Sequence, residues 1–176
     1  MDFNKFQQIK KEYDGFYASF LRAGKLPMFD TGAGFWDASI DHEVYESFKR
    51  LRMHRFKNFL DIGSGDGAVV LIASLFGVNA HGIEIDRRLV QKALEVSSKL
   101  KLNAKFFHGD FMEHDFSKYD ILFINPDKPM EHGLEEKLLR EMKGKLILYG
   151  HHFHPKNLKA EEVFRVNDTV VTVYSK

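Results

Sequence analysis

Residues 59–67 read Phe-Leu-Asp-Ile-Gly-Ser-Gly-Asp-Gly, a short apolar strand that runs into a glycine-rich turn with acids at Asp61 and Asp66. Glycines at the mouth of a strand let backbone approach a ligand closely. When the ligand is a dinucleotide, its pyrophosphate lies over the N-terminus of the following helix. Two carboxylates oppose that arrangement. A phosphate about 4 Å from a carboxylate at a partly wet site costs on the order of 4 kcal/mol, more than a helix dipole typically returns. The turn therefore selects a ligand that is cationic where a dinucleotide is anionic.

S-Adenosylmethionine meets that condition, since it carries a nucleoside without a phosphate and presents an ammonium and a sulfonium. A competing pattern shares the stretch: Gly63, Gly65 and Ala68 satisfy the looser G-x-G-x-x-G/A dinucleotide fingerprint, with Glu84 about 20 residues on as a ribose ligand. Spacing serves both readings, and Asp61 and Asp66 favour the sulfonium cofactor.

Working outward, 176 residues suit one domain with a proper core, so residues 1–176 are expected to form a single domain in which 1–38 supply an N-terminal helix and an irregular cap. With 44% hydrophobic and 29% charged residues the chain reads as globular. No apolar run approaches the roughly 20 residues that span a bilayer, and residues 1–20 lack a signal-peptide core, so a cytoplasmic location and no membrane partner are expected. The absence of cysteine removes disulfides, thiolate nucleophiles and Cys-based zinc sites together. A net charge of +1 argues against a broad nucleic-acid footprint, although Lys49, Arg50, Arg52, Arg55 and Lys57, with His54, form a local basic run. That run reads as a solvated helix end or as an RNA contact.

Phe3, Phe6, Ile9, Tyr13, Phe16 and Phe20 recur at helical spacing, which predicts an amphipathic helix that either covers a flank of the core or serves as a lid over substrate. Residues 22–38 carry Gly, Pro and Asp signals and read as irregular, and a second helix is expected from Ile40 to Met53. Strand and helix patterns then alternate, the signature of a parallel sheet with crossovers. Strands are expected near 57–62, 80–85, 104–109, 119–124 and 145–150. Helices are expected at Asp66–Phe76, Asp86–Leu100 and Glu131–Met142, with Asp86 as an N-cap and Gly144 as a C-cap signal. Glu162–Val166 and Thr169–Ser175 flank a two-residue loop, Asn167-Asp168, and so form a closing hairpin. The expected fold is α/β, a Rossmann-like doubly wound seven-stranded sheet, mostly parallel with a C-terminal antiparallel hairpin strand. A dinucleotide-binding half would continue with parallel crossovers, so the hairpin argues for the sulfonium cofactor independently of charge.

Over roughly residues 36–176 the chain resembles the class I S-adenosylmethionine-dependent methyltransferases. Three motifs carry the resemblance: Leu60-Asp61-Ile62-Gly63-Ser64-Gly65-Asp66-Gly67, Gly82-Ile83-Glu84-Ile85-Asp86 and His108-Gly109-Asp110-Phe111. Each stands at the carboxyl end of an expected strand, where α/β folds bind ligands. The resemblance implies that Glu84 accepts both ribose hydroxyls, that Ile85 lies against adenine, that Asp110 accepts the adenine amino group, and that the backbone after it, at Phe111, reads a ring nitrogen. Within the superfamily the chain looks most like the small archaeal protein lysine methyltransferases. Trp36-Asp37-Ala38-Ser39 resembles their aromatic-x-Pro-Thr lead-in, with Ser39 at the Thr position, and Gly150-His151-His152-Phe153 resembles their Ser-His-Glu-Phe run. The lead-in lacks the proline, and His152 stands where the family has an acid.

On the acceptor side, Asn125-Pro126-Asp127 resembles the N/D-P-P-Y/F motif of methyltransferases that act on the amines of DNA bases, in which a side-chain oxygen and a proline carbonyl hold the target amine. Asp127 and Lys128 replace the second proline and the aromatic that would stack a flipped base. Asn125, Pro126 and His152 are therefore the candidate catalytic residues, with Asn125 also beside the cofactor, and the alternative is a plain polar turn. His151, His152 and His154 are not expected to bind a metal, because no second ligand cluster accompanies them and the reaction needs none. The expected acceptor is a protein amine, with lysine foremost. RNA, a small metabolite, or cofactor binding without catalysis are the alternatives.

Overall fold

The computed structural model of the chain describes residues 2–32, 34–130 and 133–176. Helix α1 (Phe3–Arg22) precedes a short hairpin of β1 (Met28–Asp30) and β2 (Phe35–Asp37), followed by α2 (Asp41–Arg50). An alternating series follows: β3 (Asn58–Ile62), α3 (Ala68–Ser74), β4 (Asn79–Glu84), α4 (Arg87–Leu100), β5 (Ala104–His108), β6 (Ile121–Ile124), α5 (Leu134–Glu141) and β7 (Lys145–Tyr149). The hairpin of β8 (Lys159–Val166) and β9 (Thr169–Ser175) closes the chain.

Seven strands make one sheet in the order β5-β4-β3-β6-β7-β9-β8. The first five are mutually parallel, whereas β9 runs antiparallel to β7 and pairs with β8 on its outer side. The expected seven-stranded fold is therefore the observed one. Strand order reverses beside β3, so a crevice opens at the carboxyl ends of β3 and β6. Side chains divide by strand alternation. Phe59, Phe123 and Ile147 face a core built with the helices before β5, while Leu60, Leu122 and Leu148 face a second core under α5. Both faces being covered explains why these strands read as unbroken apolar runs.

Three local expectations are corrected. Residues 22–38 are not wholly irregular, since β1 and β2 pair within them; three-residue strands are too short to leave a periodic signal. Gly144 is not the C-cap of α5, which ends at Glu141 with Met142 as its cap. Strand β8 begins at Lys159, three residues before the expected start, and a register shift between Ala160 and Glu162 interrupts the alternation that would have marked it. Glu131 and His132, where the fifth helix was expected to begin, lie outside the described residues, as do Met1 and Ala33. Asp86 caps α4 as expected, with its carboxylate accepting from the N–H groups of Arg88 and Leu89. Among the described residues no helix is long and apolar enough to cross a membrane.

Of the two readings of α1, the structure supports the covering one. Phe6, Ile9 and Tyr13 are buried, and Phe6 stacks on Tyr45 of α2 with ring centroids 4.3 Å apart. At this junction Asp41, in the first turn of α2, is buried with one carboxylate oxygen lacking a hydrogen-bond partner among the described residues. Burial, with the charge of Asp66 second, pushes its pKa up to about 7, against the pull of Lys10. An acid whose pKa rises on folding takes up a proton between its unfolded and folded values, so it lowers stability as pH climbs through that window. Asp41→Asn removes this term. The thermal midpoint of the variant relative to the unmodified chain should therefore increase from pH 5 to about pH 7 and level off above it, as read by circular dichroism melts.

Candidate functional site

A cavity of about 610 Å³ opens at the carboxyl ends of β3, β4 and β6, within the range of small-molecule sites. From the turn after β3, Asp61, Gly63, Ser64, Gly65 and Asp66 line it, and Glu84 and Ile85 line it from the end of β4. Asp110 and Phe111 follow β5, and Asn125 and Pro126 follow β6. Trp36, Ser39 and His152 complete the expected residues that reach it. Gly67 does not. At φ +84° it caps α3, and a Cβ there would stand 2.4 Å from the Cβ of Ala93, so this glycine serves helix packing and not the cavity.

The turn is pinned from β4. Gly63 and Ser64 both donate their N–H groups to the carbonyl of Ile83, at 3.0 and 2.9 Å. Gly65 N–H donates to Glu84 Oε2 at 2.9 Å, and the other oxygen of Glu84 accepts from Asp86 N–H at 2.8 Å. The Glu84 carboxylate is thus held at both oxygens and buried, yet each oxygen keeps lone-pair capacity toward the cavity. Gly65 has φ +52°, and a Cβ there would lie 2.6 Å from Cδ1 of Trp36, so the indole seats directly on the turn. Trp36 is buried in a wall with Phe16, Phe20 and Phe29, its ring 5.1 Å from that of Phe29.

The two acids of the turn differ in what holds them. Asp61 is 2% exposed, and no donor among the described residues hydrogen-bonds its carboxylate. Burial, then the charges of Glu84 and Asp66, raises its pKa well above the usual carboxylate range, a penalty that a cation in the cavity would offset. Asp66 lines the cavity as well, but unlike Asp61 its carboxylate has partners: it accepts from Tyr17 Oη at 2.8 Å and from Ala68 N–H, while its main-chain carbonyl accepts from Tyr13 Oη at 2.7 Å. Burial raises the pKa of Asp66 to about 6 despite those donors. The bonds to the two tyrosines fasten the turn to α1. Only the Phe/Tyr periodicity of α1 hinted at this, because hydroxyls and carboxylates about 50 residues apart leave no spacing signal.

Asp110 is exposed, with Oδ1 accepting from Met112 N–H at 2.8 Å to cap the turn that begins at Phe111. Asn125 is exposed, and its side chain makes no hydrogen bond with another described residue. Of the three loop histidines, His151 contacts the carbonyl of Asp168, His154 contacts the Tyr174 hydroxyl, and His152 lines the cavity. Their partners diverge, and among the described residues no cluster suited to a metal ion is found. Phe153 and Asp127 are among the lining residues that sequence reasoning missed. Phe153 adopts φ +59°, a left-handed backbone that costs a bulky residue roughly 1–2 kcal/mol. Asp127 accepts from the N–H of Phe35, 92 residues away.

The family model of the ANTKMT methyltransferase domain matches residues 61–162, more than half of the chain. The chain is 35% identical over 102 residues to a lysine N-methyltransferase of Homo sapiens that is named for a component of ATP synthase, covering 57% of this chain and 43% of that protein. It is 29% identical over 112 residues to a protein-lysine N-methyltransferase of Saccharolobus islandicus, covering 61% and 70%. The chain spans less than half the length of the first curated relatives it matches. A solved structure, an RNA methyltransferase from Salinibacter ruber in complex with S-adenosyl-L-homocysteine, superposes with a TM-score of 0.70 at 21% identity, covering 78% of this chain and 92% of that one.

The seat of the indole on the turn gives a direct check. Gly65→Ala should lower stability by at least about 1–2 kcal/mol from the left-handed backbone alone, and displace Trp36 into a wetter setting. A red shift of the emission of this single tryptophan, together with a lower thermal midpoint, is the expected result.

Proposed function

Because the chain belongs to the ANTKMT methyltransferase domain family, we propose that it transfers a methyl group from S-adenosylmethionine to a protein amine, a lysine side chain. One observation supports this above others: unpartnered Asp61, doubly held Glu84 and the Asn125-Pro126 turn all open into a single cavity. When bound, the cofactor supplies a methyl group already activated by the positive sulfur. The chain's own residues then bind, orient and exclude water. Asp61 meets the ammonium, and the free lone pairs of Glu84 accept the two ribose hydroxyls. Ile85 and Phe111 flank the adenine, and Asp110 accepts from its amino group. Gly63, Ser64 and Gly65 bring backbone close to the cofactor, with Trp36 and Ser39 closing the near wall.

At the acceptor end, the Asn125 side-chain oxygen and the Pro126 carbonyl hold the amine, and His152 stands beside the channel. Holding nucleophile and methyl carbon in line at about 3–3.5 Å can supply several kcal/mol through orientation alone. Exclusion of water on closure favours the neutral amine by disfavouring the ammonium. The acids around the cavity suit a cationic acceptor. By contrast, Arg52, Arg55 and Lys57 precede β3 at the end of the strand away from the cavity, so RNA is not favoured. This reading treats residues 1–176 as one methyltransferase domain, working in the cytoplasm.

Incubation with methyl-labelled cofactor and cell extract tests it. Label in protein bands, recovered as methyllysine, is expected; label in nucleic acid or small solutes overturns the acceptor, and binding without transfer overturns the catalysis. Glu84→Gln should weaken adenosylhomocysteine binding in calorimetry by about tenfold or more, since a charged acceptor gives way to a neutral one. Asn125→Ala should reduce turnover by about 100-fold while leaving cofactor affinity nearly unchanged, a split expected of a residue that orients only the acceptor.

A further inference from the structure

Among the described residues, the β1–β2 hairpin pairs with itself and joins no other strand. A lone two-stranded hairpin is marginal in water, so what fixes its position must come from its contacts with the rest of the fold. Its turn is held locally, with Thr31 N–H and Oγ1 both donating to the carbonyl of Gly34. Across its cofactor side, Trp36 rests on Gly65. Across its acceptor side, Phe35 N–H donates to Asp127 Oδ2 at 2.5 Å, and a Cβ on Gly34 would stand 3.0 Å from the same oxygen. Thr31, Phe35 and Asp37 line the cavity together with Pro126 and Asp127, and the bond from Phe35 to Asp127 ties the hairpin to the acceptor turn at its edge.

We propose that Asp127 is a positioning residue that latches the β1–β2 hairpin over the cavity, making the hairpin a gate through which the cofactor is loaded and its product released. The latch also has a second effect. Asp127 lies two residues beyond Asn125 with the rigid Pro126 between them, so drawing its carboxylate to Phe35 fixes where the acceptor turn stands. The carboxylate is well suited to this role, because a charged acceptor makes a stronger bond to a backbone N–H than a neutral one, and still breaks on the timescale of loop motion. The presence of Asp127 in place of a second proline is thereby explained: a proline has no side-chain acceptor to offer the hairpin.

The gate rests on the cofactor reading of the cavity, but its geometry is testable without any ligand, because Trp36 is the single tryptophan and sits in β2. Acrylamide quenching of the ligand-free chain should be several-fold stronger in Asp127→Ala, and stopped-flow release of adenosylhomocysteine about tenfold faster. Asp127→Asn, which keeps an acceptor oxygen, should recover much of both. Quenching and release in Asp127→Ala that stay within about twofold of the unmodified chain overturn the gate. If adenosylhomocysteine fails to bind while quenching rises as expected, the gate stands and the cofactor reading falls. Because the chain has no cysteine, Gly34→Cys with Asp127→Cys gives a second test should Asp127→Ala not fold. Oxidation should lower quenching and slow release, and reduction should reverse both; equal values in the two states overturn the proposal.

Discussion

A single main-chain oxygen carries much of this architecture. The carbonyl of Ile83 accepts from both Gly63 and Ser64, so the turn after β3 takes its shape from the end of β4 and not from its own residues alone. The next residue, Glu84, continues the tie through its carboxylate to Gly65. Two neighbouring parallel strands thus end in one fastened unit, and every other part of the cavity is arranged around it. The cost is electrostatic. Asp61, Asp66 and Glu84 are all nearly inaccessible to water, and backbone donors and a tyrosine hydroxyl offset part of their mutual repulsion.

The N-terminal residues are joined to that unit at two points. Helix α1 reaches it through Tyr13 and Tyr17, whose hydroxyls grip Asp66; burial raises the pKa of both, so they remain protonated donors. The β1–β2 hairpin reaches it through Trp36, which rests on Gly65 and packs against Phe16 and Phe20 of α1. A segment that looks like an appendage in the sequence therefore clamps the ligand-binding turn, while the core under α5 is assembled without it.

What the sequence revealed and what it hid follow from the range of the interactions involved. The sheet was legible because β6 and β7 are buried on both faces and so read as apolar runs, and because Asn167-Asp168 sits between two β-rich runs. Residues bound to strand ends, such as Asp61, Glu84, Asp110 and Asn125, were legible for the same reason: knowing where a parallel strand stops locates the site. Gly67 was misplaced because a glycine required by helix packing and one required by a ligand look identical in a motif. The ties from Tyr17 to Asp66 and from Phe35 to Asp127 were hidden because they join positions far apart in sequence, and one of them uses only a backbone N–H, which every non-proline residue has.

The outermost strand, β8, carries Lys159, Glu161, Glu162 and Arg165 on exposed positions, and its register slips between Ala160 and Glu162. An open strand edge is otherwise a template on which another chain can add, layer by layer, toward fibrils. Charge along the rim and a kink in its ladder make such growth unfavourable. This border of the sheet is thereby poorly suited to accept a further strand.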